Sequence, residues 1–473
     1  MGLTASEDDG SSSPSPPVPL DLTLDALLRP HTEAGFDAEV ARLAAILHAN
    51  GVDRGTTYCF RAPSTGMTLL LYRACWRLGA TAVPIHHLAG PADVERIVAA
   101  VQPVRRPDER LDPNAAAPVV DDRAEPDDVA VVLFTSGSSG SPKGVRHTHR
   151  ALASKATTMV DVHGLTADDA VLMPAPLGHV SGLLNGILVP GAAGMRSVLM
   201  ERWVPDEALH LIEREHISFM VGPPTFFIDL LQASTFRPER VTSLRLISSG
   251  GAGVTPAFVE RAGRELDCVV KRTYGSTEAP TVTTSYAGDD PERAAATDGR
   301  PVGDVELRTD PANGELQLRG SDLFVGYTDP IATAAAFTDD GWYRTGDVGV
   351  IDADGWLTIV GRIQDVIIRG GENISAAAVE GVLEAHPDVV AAVAVGYPDE
   401  RLGERVAAYV VAPASFDLDA CRAWFTEQGA ARFTIPERVI VVDDLPRLDS
   451  GKADRKALRR RAAAITDAGD GAL

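Results

Sequence analysis

Apolar residues along the first ninety positions recur with a changing period. Val40, Leu43, Ala44 and Leu47 fall at helical spacing, and Gly51 closes that segment as a C-cap does. Residues 57–61 read as a short strand, 67–78 as an apolar helix ending at Gly79, and 81–85 as a second strand. Strand alternating with helix predicts a parallel sheet covered by helices. Residues 104–128 break the rhythm with proline and charge, which predicts a connection rather than a core element. Residues 129–134 form an unbroken apolar run, the signature of a strand buried on both faces, and lead straight into a Gly/Ser-rich loop. Further alternation follows: a strand at 171–173, a helix at 205–216, and strands at 218–221 and 244–248. No internal repeat is evident.

From about residue 300 the pattern shifts to short strands. Segments 314–318, 348–351 and 356–360 flank glycine turns, the last pair meeting at Asp354-Gly355 in hairpin fashion. After Arg362 a compact unit begins: a helix at 376–385 stopped by His386-Pro387, strands at 389–395 and 406–411, and a helix at 418–428. The chain therefore reads as α/β: a large N-terminal domain of mixed and parallel sheets covered by helices, and a small C-terminal α+β domain joined by a hinge. The expected boundaries are a disordered tail at 1–19, the large domain at 20–361, the hinge at 362–365, the small domain at 366–461, and a tail at 462–473 without a core-forming pattern.

Composition narrows the chemistry. The chain has 473 residues, 45% hydrophobic and 23% charged, which excludes disorder of the whole. A net charge of −22 provides no general cationic surface for a nucleic-acid backbone. Four cysteines (59, 75, 268 and 421) without metal-ligand spacing read as small buried hydrophobes in a reducing cytoplasm. Neither a signal peptide nor a membrane-spanning run is visible, and oligomeric state is unreadable. Only five of the 44 basic residues are lysines (143, 155, 271, 452 and 456), so a lysine in a loop carries unusual information.

One such lysine ends the loop after the buried strand. Thr135 to Gly144 reads T-S-G-S-S-G-S-P-K-G. Gly137 and Gly140 permit close approach of amides to an anion, Thr135, Ser136, Ser138 and Ser139 add hydroxyls, and Lys143 adds a mobile charge. The set suits nucleotide phosphates, although the Walker spacing is absent and a flexible loop with an incidental lysine is the plain alternative. This segment resembles the first signature of the acyl-adenylate-forming enzymes: acyl-CoA synthetases, adenylation domains of nonribosomal peptide synthetases, and luciferases. The remaining signatures occur in order: Ser249-Gly-Gly-Ala-Gly, Tyr274-Gly-Ser-Thr-Glu278, Tyr343-Arg-Thr-Gly-Asp347, Gly361-Arg-Ile-Gln-Asp365 and Leu445-Pro-Arg-Leu-Asp-Ser-Gly-Lys452. They are closest to the versions carried by acyl-CoA ligases.

The resemblance implies ATP, Mg²⁺ and, as acceptor, coenzyme A, with a small carboxylic acid as substrate. A carrier-protein phosphopantetheine is the alternative acceptor, and an unusual oxyanion the alternative substrate. It implies that Glu278 holds Mg²⁺ and Thr277 lies near the α-phosphate. Tyr274, Gly275, Gly250, Gly251 and Ala252 are implied to frame adenine, and Asp347 with Arg362 to bind ribose. Lys452 is implied to lie between the acyl carboxylate and the α-phosphate, where a preorganised cation stabilises developing charge. His179 is implied beside the acyl group, residues 221–227 along the acyl pocket, and Gly370-Gly371 beside the pantetheine channel. Plain alternatives stand for several: a half-buried tyrosine for Tyr274, a turn cap for Asp347, a structural histidine for His179. Two departures concern the hinge, where Gln364 replaces the usual Asp or Lys, and the shortened 104–128 region.

Overall fold

Four sheets follow one another along the chain, which the computed structural model describes over residues 23–29, 34–112, 123–135, 143–370, 372–447 and 453–465. The first contains β1 (Thr57–Ala62), β2 (Thr81–His86), β3 (Val129–Thr135) and β4 (Lys143–Thr148). β1, β2 and β3 are parallel, crossed over by helices Gly66–Leu78 and Pro91–Val101, and β4 returns antiparallel on β3. The second helix was not anticipated from the pattern. Between β2 and β3, Val104 and Arg123 bond back to Thr57 and Arg77, so the connection at 104–128 lies against the sheet where it is described.

The second sheet comprises β5 (Ala170–Met173), β6 (Arg196–Leu199), β7 (Phe219–Gly222), β8 (Leu246–Gly250), β9 (Val269–Tyr274), β10 (Thr283–Thr284) and β11 (Arg300–Pro301), in the order β11-β10-β9-β8-β7-β5-β6. Strands β5 to β9 are parallel; β10 and β11 are antiparallel. Side chains on these strands alternate between two cores. Val171, Met173, Phe219, Val221 and Leu246 join the core shared with the first sheet. Ala170, Leu172, Met220 and Ile247 join a second core under helices Pro205–Glu215 and Pro256–Leu266. Both faces are covered, which is why the strands read as continuous apolar runs. β8 starts later than the expected 244–248 because Leu244, though buried, closes a turn on Val241.

β12 (Glu306–Thr309), β13 (Glu315–Arg319), β14 (Tyr343–Ile351) and β15 (Leu357–Arg362) form an antiparallel third sheet. Asp354 and Gly355 make the turn between β14 and β15, Gly355 at φ 82°. The fourth sheet contains β16 (Val366–Arg369), β17 (Glu372–Ser375), β18 (Ala391–Asp399), β19 (Gly403–Val411) and β20 (Arg438–Val441). Its strands also divide residues between two faces. Ala392, Ala394, Val406 and Ala408 meet helices Ala376–Glu384 and Leu418–Glu427, whereas Val393, Val395, Ala407 and Tyr409 meet helix Arg455–Ala464. That last helix corrects an expectation. Ala462, taken as the start of a tail, is fully buried with Leu458 in this core. The expected tail at 1–19 lies outside the described residues. Of the cysteines, Cys268 is only half-buried while the other three are buried. Among the described residues no helix is long and apolar enough to cross a membrane.

Three histidines lie in the core around helix His149–His163: His147, His149 and His163. Burial lowers their pKa values to about 4, about 4 and about 3, with Lys271 and Arg245 adding to the effect at His163. An unfolded histidine takes a proton near 6.5 that the folded one refuses until far lower pH. The unfolded state therefore binds more protons across that window, and stability falls as pH falls through it. Glu384, half-buried and held up at about 8 by desolvation and the neighbouring Glu380 charge, acts in the opposite direction. Replacing His163 with Met should remove one such proton from the balance. Unfolding by urea at several pH values between 6 and 4 should show acid destabilisation reduced by about 1.4 kcal/mol per pH unit. An acid limb identical to wild type would exclude His163 as a contributor.

Candidate active site

Two neighbouring parallel strands, β8 and β9, end together at Gly250 and Tyr274, and open α/β sheets bind ligands at such carboxyl edges. A Cβ on Gly250 would stand 2.2 Å from the Thr273 carbonyl oxygen, so no other residue lets the strands close here. Gly251 follows at φ 75°, and Gly251 and Ala252 are exposed, leaving a strip of bare backbone beside Tyr274.

Tyr274 donates its hydroxyl to Asp347 Oδ2 at 2.7 Å. Arg362 Nε holds Asp347 Oδ1 at 2.8 Å, and the two residues are register partners across β14 and β15. Burial, with the Asp347 charge beside it, holds the Tyr274 phenol well above its ordinary pKa, so it remains a donor. Asp347 is 4% exposed, yet each oxygen keeps a second lone-pair direction for a further donor such as a vicinal hydroxyl. Its backbone is fixed as well. Thr345 Oγ1 accepts from the Asp347 amide and donates to the Leu316 carbonyl, while buried Glu315 accepts from the Gly346 amide. Asp347 is thus held as an acceptor rather than a turn cap alone.

The chain after Tyr274 folds tightly back. A Cβ on Gly275 would lie 2.4 Å from the Thr281 nitrogen. Inside the turn, Glu278 Oε1 accepts from the Tyr327 hydroxyl at 2.8 Å, while Oε2 meets no donor among the described residues. The Lys143 ammonium stands over the same Tyr327 ring, 5.1 Å from its centre. Lys143 pairs with Thr135 across β3 and β4, so both ends of the Gly/Ser loop are anchored in the first sheet. His147 Nε2 donates to the Thr277 carbonyl at 2.7 Å, which fixes the tautomer because a carbonyl can only accept. No group of three or more His, Cys, Asp or Glu side chains able to hold a metal occurs among the described residues. A divalent cation on Glu278 would therefore draw its other ligands from phosphate and water, the coordination Mg²⁺ favours.

The other expected residues lie elsewhere. His179 caps a short helix at Val180–Leu183 with its ring 6.1 Å from that of His86, which stacks on His87. His86 and His87 line a cavity of about 1240 Å³ together with Trp203, Phe226, Asp229 and Arg447. Of the two phenylalanines expected near an acyl pocket, Phe226 lines this cavity and stacks on Trp203, whereas Phe227 is buried in the second core. Arg447 lies 3.7 Å from Asp229 and immediately precedes residues 448–452. Gly370 sits at the exposed tip between β16 and β17, its amide bonded to the Leu402 carbonyl. Ser136, Gly137, Ser138, Ser139, Gly140, Gly371 and Lys452 lie outside the described residues, as does the side chain of Gln364. Tyr327, His147 and Lys155 were not singled out by motif. For Lys155 a signal existed, because it shares the apolar face of its helix with Leu152, Ala156 and Met159.

Two family models match the chain: AMP-binding enzyme over residues 100–328, and AMP-binding enzyme C-terminal domain over residues 378–452. The medium-chain fatty-acid–CoA ligase of Escherichia coli K12 is 33% identical over 484 residues, spanning 91% of this chain and 85% of that protein. The indoleacetate–CoA ligase of Aromatoleum aromaticum is 32% identical over 471 residues, spanning 90% and 92%. Among solved structures, ATP-bound MatB from Rhodopseudomonas palustris matches with a TM-score of 0.83 at 29% identity, covering 91% of this chain and 93% of that one.

The bond from Tyr274 to Asp347 generates a direct expectation. Tyr274→Phe keeps the ring and deletes a donor to a buried carboxylate, and should cost about 1.5–3 kcal/mol in urea unfolding. Arg362→Ala should cost less, because the Arg362 side chain is 61% exposed. Equal costs, or none for Tyr274→Phe, would contradict this account of how Asp347 is held.

Proposed function

This chain belongs to the AMP-binding enzyme family, and on that premise we propose that it joins a small carboxylic acid to the thiol of coenzyme A through an acyl adenylate. The observation that carries the proposal is the buried Asp347 carboxylate. It is bracketed by Tyr274 and Arg362, and Tyr274 ends β9 beside the Gly250 strip. Such a site offers a flat aromatic face, bare backbone, and an acceptor with unused lone pairs. These are the needs of adenine and ribose.

In the proposed reaction Tyr274, Gly275, Gly250, Gly251 and Ala252 seat the base, and Asp347 with Arg362 takes the ribose. Thr135, residues 136–140 and Lys143 bind the β- and γ-phosphates, and Thr277 donates near the α-phosphate. Mg²⁺, when bound, would lie on Glu278 and offset negative charge on the phosphates. An oxygen of the acid attacks the α-phosphorus in line, the bond to the bridging oxygen breaks, and pyrophosphate leaves. Lys452 stabilises charge at that centre, and His179 borders the acyl group. The part from residue 366 then turns about residues 362–365, moving Lys452 away and bringing Gly370-Gly371 beside the channel. The thiol gives up its proton to solvent, its sulfur attacks the acyl carbon, the bond from that carbon to the AMP oxygen breaks, and AMP leaves with the electron pair. The cavity beside His86 and Phe226 supports this reading by offering room for acid or thiol on the side of His179.

The test is a pyrophosphate-release screen over acids of different size, with and without CoA, products being identified by mass. Pyrophosphate and AMP should appear with at least one acid, and a CoA thioester only when CoA is present. Adenylate that transfers to a phosphopantetheine carrier protein and not to CoA would replace the acceptor. Release of ADP would sink the reading. With the acid so found, Lys452→Ala should slow adenylate formation by about 10²–10³ while leaving the melting temperature unchanged. Adenylation at the wild-type rate would remove Lys452 from the mechanism.

A further inference from the structure

The turn that carries Thr277 and Glu278 is tethered by its carbonyls. Thr277 O accepts from His147 Nε2, Glu278 O from the Phe324 amide at 2.8 Å, Ala279 O from the Ser276 amide at 2.9 Å, and Thr281 O from Lys155 Nζ at 2.9 Å. Thr281 holds φ 36°, a left-handed conformation that a β-branched residue adopts only when its surroundings impose it. Lys155 also lies 2.7 Å from Asp322 Oδ2, and both side chains are essentially without solvent exposure.

Asp322 and Phe324 belong to the segment that ends at Tyr327, whose hydroxyl holds the Glu278 carboxylate. One ammonium therefore joins the two segments that frame Glu278. On one side it grips the end of the turn, and on the other it grips the segment that supplies both the Phe324 amide and the Tyr327 hydroxyl. The lysine projects from helix His149–His163, whose start is capped by Thr148 Oγ1 accepting from the Ala151 amide. A buried ion pair is a poor source of stability, because desolvation offsets most of the attraction. Stability alone is thus a weak reason for a lysine here.

We propose that Lys155, with Asp322, is a positioning residue for adenylation: its ammonium clamps the 275–281 turn to the 322–327 segment and thereby aims Glu278. The proposal rests on the reading of Glu278 given above. Misplacement by about 1 Å of a group that orients the reacting phosphate can cost about a hundredfold in rate.

Two paired variants separate aim from stability. Lys155→Met/Asp322→Leu removes both charges with side chains of similar branching, and frees the Thr281 carbonyl. Lys155→Gln/Asp322→Asn is also neutral but restores a donor to that carbonyl. Each is measured for melting temperature, for kcat and KM of pyrophosphate exchange, and for the extra rise in melting temperature that Mg²⁺ adds to ATP alone. The Met/Leu pair should melt no lower than wild type, lose about tenfold to a hundredfold in kcat, and lose the Mg²⁺-dependent rise, with KM for ATP rising only as far as that lost contribution requires. The Gln/Asn pair should recover most of both. Wild-type exchange in a folded Met/Leu variant overturns the proposal, as does an equal kcat loss in a Gln/Asn variant that melts like wild type. Absence of exchange in wild type with every acid would instead count against the adenylation reading. The clamp is then judged by the Mg²⁺-dependent rise alone, whose retention in the Met/Leu variant overturns it.

Discussion

A single buried carboxylate ties the molecule together. Asp347 belongs to the third sheet, accepts from Tyr274 at the edge of the second, and is paired with Arg362 at the last position before residues that lead to the fourth. Burying a charge is costly unless its oxygens are matched by donors, and here each oxygen has one. The second and third sheets are thereby required to meet at one point, beside the residues that lead to the fourth. The β14–β15 hairpin, the Thr345 hydroxyl and the Glu315 carboxylate exist around that requirement, each fixing backbone on one side of Asp347.

Around this point the candidate nucleotide side is rigid. Its rigid part is backbone: Gly250 against Thr273, Gly275 against Thr281, and carbonyls held one by one. These contacts leave Tyr274, Thr277 and Glu278 little freedom to relax, the condition under which the proposed adenylation would find its groups preorganised. Apart from this side lies a cavity between Trp203, Phe226 and the histidine pair, lined by residues from both the N-terminal and the C-terminal part of the chain.

Much of the fold was legible because both faces of the parallel strands are covered, so continuous apolar runs marked β3, β5, β7 and β8, and Asp354-Gly355 marked the hairpin. The resemblance to acyl-adenylate-forming enzymes was carried by glycines and by Tyr274, Glu278, Asp347 and Arg362, whose spacing is set by short turns. What sequence did not expose are partners brought from afar. Tyr327 reaches Glu278 and Asp322 reaches Lys155 only through the packing of separate segments, and no local period announces either. Lys155 was masked by the assumption that an informative lysine lies in a loop. Ala462 was missed because helix Arg455–Ala464 buries only Leu458 and Ala462, two positions too few to show a period among five basic residues.

The central claim is that this site makes an acyl–phosphate bond at the α-phosphorus of ATP. It is tested most directly by following heavy oxygen from a carboxylate-labelled acid through one turnover with CoA. Attack by the carboxylate, followed by thiol displacement at the acyl carbon, must leave one labelled oxygen in AMP and none in pyrophosphate. Unlabelled AMP, or label in inorganic phosphate accompanied by ADP, would contradict the account.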